Sequence, residues 1–480
     1  VLSIFDWSLV LFIAYLVWAV VVGIGLVLER RSPIATLGWL LTLLALPYVG
    51  ALVWLFFGPR RLERRRLHYA DARRRIDSAS LDFRKAVLSP EIGEDIRMRY
   101  RQLLRLAERL HQPPPARAQD IALYFAGDEC YAALEQAIGA AQHHVHLEYY
   151  IWEPGKAADR ILACLVERAR AGVAVKVLLD DVGSGRASDE YFAALTRAGG
   201  MVAWFNPLRF SNFRPTLLNF RTHRKIVVCD GRVGFTGGMN ISSAQSVLSS
   251  GDSGWRDTHM RITGAPVAAL QRVFLEDWYF AAGSCEVVSE FFPESAPSTD
   301  GALVQVIASG PDTTDYAIQR FLFAAIASAR DEVRLTTAYF VPDDATLEAL
   351  KAAALRGVDV QILVPRRGDS RLVTAAARSY FDELARTGVK IYEYGPPMLH
   401  AKTLEVDRSL AIVGTANTDN RSFRLNFEVI AGVIDPRTAQ ILGEQFDRDR
   451  ALARRYQRRE RGAFWPRVGA ASARLFSPLL

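Results

Sequence analysis

A chain of 480 residues, half of them apolar, is long enough for two globular lobes and further segments, and its apolar residues are too unevenly spread for a plain water-soluble domain. A formal net charge of +7 is mild over this length and falls short of the strong basic footprint of a nucleic-acid-binding chain. Four scattered cysteines, Cys130, Cys164, Cys229 and Cys285, lack any short paired spacing, so they favour neither a zinc site nor a disulfide framework and suit a reducing compartment.

From Trp7 to Leu28 the sequence is almost uninterrupted Leu, Val, Ile, Ala and Trp; at about 1.5 Å per residue such a helix crosses a hydrocarbon core about 30 Å thick. A second run, Ile34 to Phe57, is broken only by Thr36, Thr42, Pro47 and a few glycines, so residues 1–58 are expected to form a transmembrane helical hairpin. A cleaved signal peptide is disfavoured, because the first run is longer than a signal core, lacks a basic leader and is followed by Glu29-Arg30-Arg31. Arg60, Arg61, Arg64, Arg65 and Arg66 follow the second run and place the rest of the chain on the cytoplasmic side; Arg30 and Arg31 in the connecting turn oppose this with fewer charges. Residues 59–115 are rich in Arg and Leu at helical spacing and end in Pro113-Pro114-Pro115. They read as an amphipathic connector whose basic face suits anionic headgroups, or as a solvated charged helix.

Two similar halves follow, residues 116–295 and 296–445. Ala137–Ala141, Val145–Glu148 and Arg170–Leu179 form a helix, strand, helix, strand pattern that Ala325–Ala329, Val333–Thr336 and Arg356–Val364 repeat. Alternating helices and β-branched runs predict an α/β sandwich in each half. Asp180-Asp181 ends an apolar run as a strand-end or capping pair. Tyr149, Tyr150 and Tyr339 follow predicted strands, where they either line the pocket or, as the favoured reading, pack in the core. His143, His144 and His146 have no carboxylate or cysteine pattern to complete a metal ligand set. Phe205 to Arg224 mixes aromatic and basic residues as a rim that can dip into a headgroup layer, and residues 446–480, rich in Arg and then apolar, form a tail with the same potential.

Each half carries one copy of a spaced triplet, His223-x-Lys225-x4-Asp230 and His400-x-Lys402-x4-Asp407. With 8 His and seven Lys in the chain, chance would supply far less than one copy. On a strand, residues i and i+2 share a face, so each copy sets an imidazole beside an ammonium. That set suits phosphoryl transfer. Lys225 and Lys402 can neutralise the non-bridging oxygens of a phosphodiester, one imidazole can attack phosphorus, and the other can protonate the leaving alkoxide. The entering hydroxyl then decides between hydrolysis and transfer. Asp257 in Trp255-Arg256-Asp257 and Glu428 in Asn426-Phe427-Glu428 lie downstream of each motif as candidates to orient one imidazole each.

Around these residues the sequence resembles the phospholipase D superfamily, and within it the bacterial cardiolipin synthases. The phrases that carry the resemblance are His223-Arg224-Lys225-Ile226-Val227-Val228, Thr236-Gly237-Gly238-Met239-Asn240, Trp255-Arg256-Asp257-Thr258-His259, His400-Ala401-Lys402, Gly414-Thr415-Ala416-Asn417 and Asn426-Phe427-Glu428. Thr415 stands where that family usually has Ser, and Ala338 precedes Tyr339-Phe340 where Pro is common. The resemblance implies two duplicated phospholipase D-like α/β/α sandwich lobes forming a pseudo-dimer, with one shared site on the pseudo-twofold axis. It implies condensation of two phosphatidylglycerol molecules to cardiolipin and glycerol through a phosphohistidine, with no cofactor, at a bacterial inner membrane. His223, Lys225, Asp230, His400, Lys402 and Asp407 are then the catalytic motif residues, Asp230 and Asp407 serving to support the lobes. Asn240 and Asn417 would hold phosphate oxygens. Anionic lipids are the expected surroundings, nucleic acid is not an expected partner, and a homo-oligomer is open. Hydrolytic phospholipases, phosphatidylserine synthases, phosphatidylethanolamine-using synthases and, more remotely, nucleases share the same motif.

Overall fold

The computed structural model describes residues 7–28, 33–45, 74, 76, 94–207, 219–250, 254–294, 301–313, 315–458 and 473–474. The chain divides into two compact units, residues 1–62 with 208–219, and residues 63–207 with 220–480. In the smaller unit, helix α1 (Trp7–Leu28) and helix α2 (Pro33–Ala45) contain no charged residue. Tyr15 donates its hydroxyl to the Leu43 carbonyl and Gly23 faces Leu40, so the two helices pack antiparallel. Leu11, Phe12, Val17 and Val21 of α1 are exposed. No helix among the described residues is long and apolar enough to cross a membrane, the side chains of α1 being described without a break only from Leu9 to Gly25. The remainder of the expected second run, and most of the aromatic and basic rim after Pro207, lie outside the described residues.

In the larger unit, helix α3 spans Glu94–Arg109. Its apolar face, Tyr100, Leu103, Ala107 and Leu110, is buried in the core, while Arg101, Arg105 and Arg109 are exposed. The connector is therefore anchored to the globular part by apolar burial, its basic face left outward.

Seventeen strands follow among the described residues. In the first half they are β1 (Ala116–Tyr124), β2 (His144–Tyr149), β3 (Ala174–Asp180), β4 (Met201–Phe205), β5 (Ile226–Cys229), β6 (Val233–Gly237) and β7 (His259–Gly264). In the second half they are β8 (Leu303–Ser309), β9 (Glu332–Thr337), β10 (Phe340–Val341), β11 (Asp359–Pro365), β12 (Lys390–Tyr394), β13 (Lys402–Val406), β14 (Leu410–Gly414), β15 (Thr418–Asp419), β16 (Glu428–Ile434) and β17 (Arg454–Arg455). Fifteen of them form one sheet, in the order β17-β12-β11-β9-β13-β14-β16-β8-β1-β7-β6-β5-β2-β3-β4. Read outward from the central β8-β1 pair, β8-β16-β14-β13-β9-β11-β12 matches β1-β7-β6-β5-β2-β3-β4 strand for strand. The duplication in sequence is thus a duplication in topology, joined by the antiparallel pairs Ala116↔Val304 and Arg117↔Leu303.

Helices cover both faces. In the first half these are α4 (Gly127–Ala140), α5 (Lys156–Arg170) and α6 (Val267–Ala282); in the second, α7 (Ala317–Ser328), α8 (Asp344–Leu355) and α9 (Pro436–Ala451). Strands β2 and β16 are buried along their whole length, as strands sandwiched between helices must be. One core is shared by the halves: Phe274 and Leu270 of α6, Leu442 of α9, and Val304, Val413 and Val429 of the second half's strands belong to the same cluster. Helix α9 is capped by Asp435, whose carboxylate accepts from the Thr438 amide at 2.8 Å, and Pro436 takes the first turn. It runs through the expected boundary at residue 445, because Phe446 and Asp449 on its last turns are buried. Arg454 and Arg455 then pair with β12 as an edge strand, so the start of the expected tail belongs to the lobe. The stretch 459–472 lies outside the described residues.

Candidate active site

Both motifs lie at one end of the sheet. Lys225 immediately precedes β5, Lys402 opens β13, and these are equivalent strands of the two halves. The halves then exchange contacts. Backbone bridges join Thr222 to Phe427 and Arg256 to Leu399, and the His223 and His400 amides donate to the Phe427 and Arg256 carbonyls at 2.9 and 2.7 Å. Each motif histidine is thereby laid against the acidic segment of the opposite half. His223 Nδ1 lies 3.0 Å from the Glu428 carboxylate, and His400 Nδ1 lies 2.6 Å from Asp257 Oδ2. All four side chains are buried. The sequence identifies both acids, but each serves the histidine of the other lobe.

A second layer fixes the carboxylates. Glu428 accepts from Thr415 Oγ1 at 2.5 Å and from Asn426 Nδ2 at 3.3 Å; Asp257 accepts from the Thr258 amide at 2.7 Å and from Gln245 Nε2 at 3.3 Å. Thr415, one of the two departures from the usual family residue, therefore holds the acid rather than an imidazole. Its counterpart is Gly238, where a Cβ would come within 2.1 Å of Asp257 Oδ1, so the Asp half-site has no space for a hydroxyl at this point.

Burial would raise Glu428, but His223, Lys225 and Thr415 overcome it and hold the carboxyl down to about 2. Asp257 is likewise held below the usual range, burial being outweighed by His400 and Lys402. Both acids are carboxylates near neutrality, and a carboxylate can only accept. Each imidazole consequently presents Nδ1–H to its acid and keeps the Nε2 lone pair for chemistry. Burial lowers His223 to about 4, with Glu428 pulling the other way, and burial and Lys402 lower His400.

The ammonium groups fill the floor of the site. Lys225 Nζ donates to the His223 carbonyl at 2.6 Å, and Lys402 Nζ donates to the His400 carbonyl and stands 3.0 Å from His400 Nδ1. Burial lowers Lys225 to about 7, Glu428 opposing and Lys402 adding to the effect, and burial lowers Lys402 to about 8. That mutual repulsion places the two motifs in one electrostatic neighbourhood, and a bound phosphodiester anion relieves it. The sign for catalysis follows: the ammonium forms are needed, and they are lost as pH rises through these values. We expect kcat/KM, which reports the free enzyme, to fall between about pH 7 and pH 8, with kcat falling later because bound phosphate restores the ammonium. A kcat/KM that stays level to pH 9 would contradict this.

The other candidates divide. Asn240 is buried; its carboxamide oxygen accepts from the Ile151 amide at 3.2 Å, which leaves its NH2 as the available donor. Asn417 is buried, and its Oδ1 has no partner among the described residues. Tyr150 packs edge-on against His223 at 5.0 Å and under Lys225 at 5.3 Å, and Trp255 packs on His400 at 5.2 Å. Of the two positions open to these tyrosines, Tyr150 takes the pocket-lining one, while Tyr149 is in the core. Asp180 accepts from the amides of Val182, Gly183 and Thr222 and pairs with Arg221 at 3.3 Å, a turn-fixing role. His144 and His146 share Gln271 at 3.1 and 2.8 Å and stack with Phe274 and Phe291.

Asp230 and Asp407 lie away from this centre. They sit at the far ends of β5 and β13, roughly 16 Å along the chain from the lysines. Asp230 accepts from the amides of Gln142, His143 and His144, and Asp407 from those of Arg330, Asp331 and Glu332. Each therefore fixes the start of the neighbouring β2 or β9. Both have positive φ, 54° and 50°, which Asp tolerates better than most residues. Asp407→Ala is expected to cost roughly 2 to 3 kcal/mol by stranding amides, lowering the melting temperature while activity per folded molecule stays near wild type. An unchanged melting temperature would contradict the assignment.

Comparison with known proteins agrees with this arrangement. The family described as "Cardiolipin synthase, PLD-like domain" matches residues 134–278 and 322–450, and the family "Phospholipase_D-nuclease N-terminal" matches residues 11–59. The chain is 40% identical over 464 residues to a cardiolipin synthase of Geobacillus kaustophilus, covering 94% of this chain and 90% of that protein. It is 34% identical over 485 residues to cardiolipin synthase 1 of Bacillus anthracis, covering 98% and 95%. A phosphatidylserine synthase of Haemophilus influenzae, at 16% identity, superposes with a TM-score of 0.60 over 79% of this chain and all of that one, which bears on the fold alone. Two phospholipase D-like lobes, one pair of histidines and full-length similarity to these enzymes establish that the chain belongs to the cardiolipin synthase family of phospholipase D-type phosphatidyltransferases.

Proposed function

We propose that the two lobes form a single site that transfers a phosphatidyl group from one phosphatidylglycerol to another. The observation that carries the reading is the exchanged pairing, His223 with Glu428 and His400 with Asp257, which gives two Nε2 atoms and two ammonium groups to one centre. His223 Nε2 attacks the phosphorus of the donor, a P–N bond forms, and the P–O bond to the headgroup glycerol breaks. His400, protonated at Nε2 when the anionic donor is bound, gives its proton to the departing oxygen. The terminal hydroxyl of a second phosphatidylglycerol then gives its proton to His400 and its oxygen to phosphorus, and the P–N bond breaks. Cardiolipin and glycerol leave. Lys225, Lys402, Asn240 and Asn417 hold the non-bridging oxygens through the trigonal-bipyramidal transition state. No nucleotide is required, since one phosphodiester replaces another.

Members of this family work at membranes, and the apolar helices α1 and α2 are the anchor in this reading, with the Arg-rich segment after them on the cytoplasmic side. The test incubates detergent-purified protein with phosphatidylglycerol alone in the presence of EDTA and follows lipids and free glycerol by mass spectrometry. Cardiolipin and glycerol in equal amounts are expected. Phosphatidic acid as the main product would make the enzyme a hydrolase.

A further inference from the structure

The second lobe carries an open cleft of about 690 Å³ whose lining includes Arg366, Arg367, Arg371 and Arg378. It is built by the turn Arg366-Arg367-Gly368-Asp369-Ser370 at the end of β11 and the helix Arg371–Arg378. Thr374 Oγ1 ties this turn, accepting from the Gly368 amide at 3.3 Å and donating to the Ser370 carbonyl at 2.9 Å. Arg378 is fixed by Glu393 at 2.7 Å and by the Arg366 carbonyl at 3.1 Å. Arg366, Arg367 and Arg371 are exposed and have no carboxylate partner among the described residues. Asp369, the acid within the run, is engaged elsewhere: its Oδ2 accepts from the Tyr339 hydroxyl at 2.6 Å.

That hydrogen bond ties the cleft to the catalytic centre. Tyr339 lines a narrow seam that shares Gly368, Thr374 and Arg378 with the cleft. Asp369 acts electrostatically on Lys402, and Tyr339 feels Tyr150, the residue packed on His223. Three guanidinium groups with no carboxylate partner among the described residues thus gather at a cleft whose turn residue Asp369 is hydrogen-bonded to Tyr339 and acts on Lys402. The chemistry of transfer supplies an occupant. An acceptor phosphatidylglycerol carries its own phosphate monoanion across a three-carbon bridge from the attacking hydroxyl, and the two catalytic lysines are committed to the donor phosphate.

We propose that this arginine cleft binds the phosphate of the acceptor phospholipid and so makes an anionic lipid, rather than water or free glycerol, the productive acceptor. The proposal rests on the phosphatidyl-transfer reading above. Guanidinium groups suit it because they grip phosphate oxygens in a planar fork.

The test compares two reactions of the full-length protein in mixed micelles: cardiolipin formation from phosphatidylglycerol, and exchange of labelled free glycerol into phosphatidylglycerol. Both use the same donor half-reaction, but only the first uses an anionic acceptor. Arg367→Gln with Arg371→Gln is expected to lower cardiolipin formation at least about tenfold, mainly through KM, while glycerol exchange stays within about twofold of wild type. The exchange also verifies that the variant is folded. Equal loss in both reactions, or no loss in either, would overturn the proposal. A wild-type protein that performs neither reaction would instead refute the transfer reading on which it stands.

Discussion

His223→Ala and His400→Ala are each expected to lower cardiolipin formation by at least about a thousandfold, the largest effects in the molecule. Without His223 the one remaining imidazole, His400, cannot both accept the phosphatidyl group and protonate the leaving oxygen, and the neighbouring ammonium groups are held in hydrogen bonds to backbone carbonyls. Without His400 the departing glycerol oxygen must leave as an alkoxide. The two losses are distinguishable. A donor lipid with a nitrophenyl headgroup leaves without a proton, so His400→Ala should regain release of nitrophenol in a single burst, and His223→Ala should not. A tenth of wild-type activity in either variant would show that the two motifs do not share one site. Rescue of His223→Ala in place of His400→Ala would reverse the two roles.

Glu428→Gln and Asp257→Asn come next, each expected to cost roughly a hundredfold to ten-thousandfold in kcat. An amide in place of the carboxylate no longer favours Nδ1–H over Nε2–H on its histidine, nor does it stabilise an imidazolium. Because the acids cross between halves, the consequence crosses too. Glu428→Gln, a change in the second lobe, should behave like damage to His223 in the first and be refractory to the nitrophenyl donor. Asp257→Asn, a change in the first lobe, should behave like damage to His400 and be largely rescued. The opposite pattern would mean that each acid serves the histidine of its own lobe, against the observed 3.0 and 2.6 Å contacts.

What the sequence conveys and what it hides have separable physical origins. The duplicated α/β lobes are legible because strand and helix periodicities repeat, and the structure carries the repeat through to an identical strand order on either side of β1 and β8. The catalytic side chains are legible because His-x-Lys on a strand end is a rare pattern with a definite chemistry. The exchange of acids is not legible. Asp257 and Glu428 follow their own lobe's motif in sequence, and only the parallel bridges between Thr222 and Phe427 and between Arg256 and Leu399 set them against the other histidine. Between core and pocket, Tyr150 was undecided for a related reason: alternation along β2 ends at Tyr149, so its turn toward His223 depends on the loop that follows. The arginine cleft also required the fold, since Arg366 and Arg378 are separated by a turn and a helix before Glu393 and the backbone bring them together.

The positions of Asp230 and Asp407 refine the meaning of the motif itself. In the proposed mechanism His and Lys form the reaction centre, while the Asp of the same motif secures the far end of the same strand by accepting from three amides of its neighbour. The spacing is therefore set by the length of a short strand, with chemistry at one end and architecture at the other. A single motif joins the two because the strand must be held firmly for the histidine to be placed accurately.

The most direct test of a shared site working through a covalent phosphohistidine is to mix the protein with phosphatidylglycerol carrying radioactive phosphorus, quench in alkali-stable conditions within a turnover, and map the labelled peptide. Label on the peptide containing His223, absent from His223→Ala and lost from wild type when unlabelled phosphatidylglycerol is added as label appears in cardiolipin, is the predicted result. Product formed at full rate with no label on either histidine peptide would contradict the account.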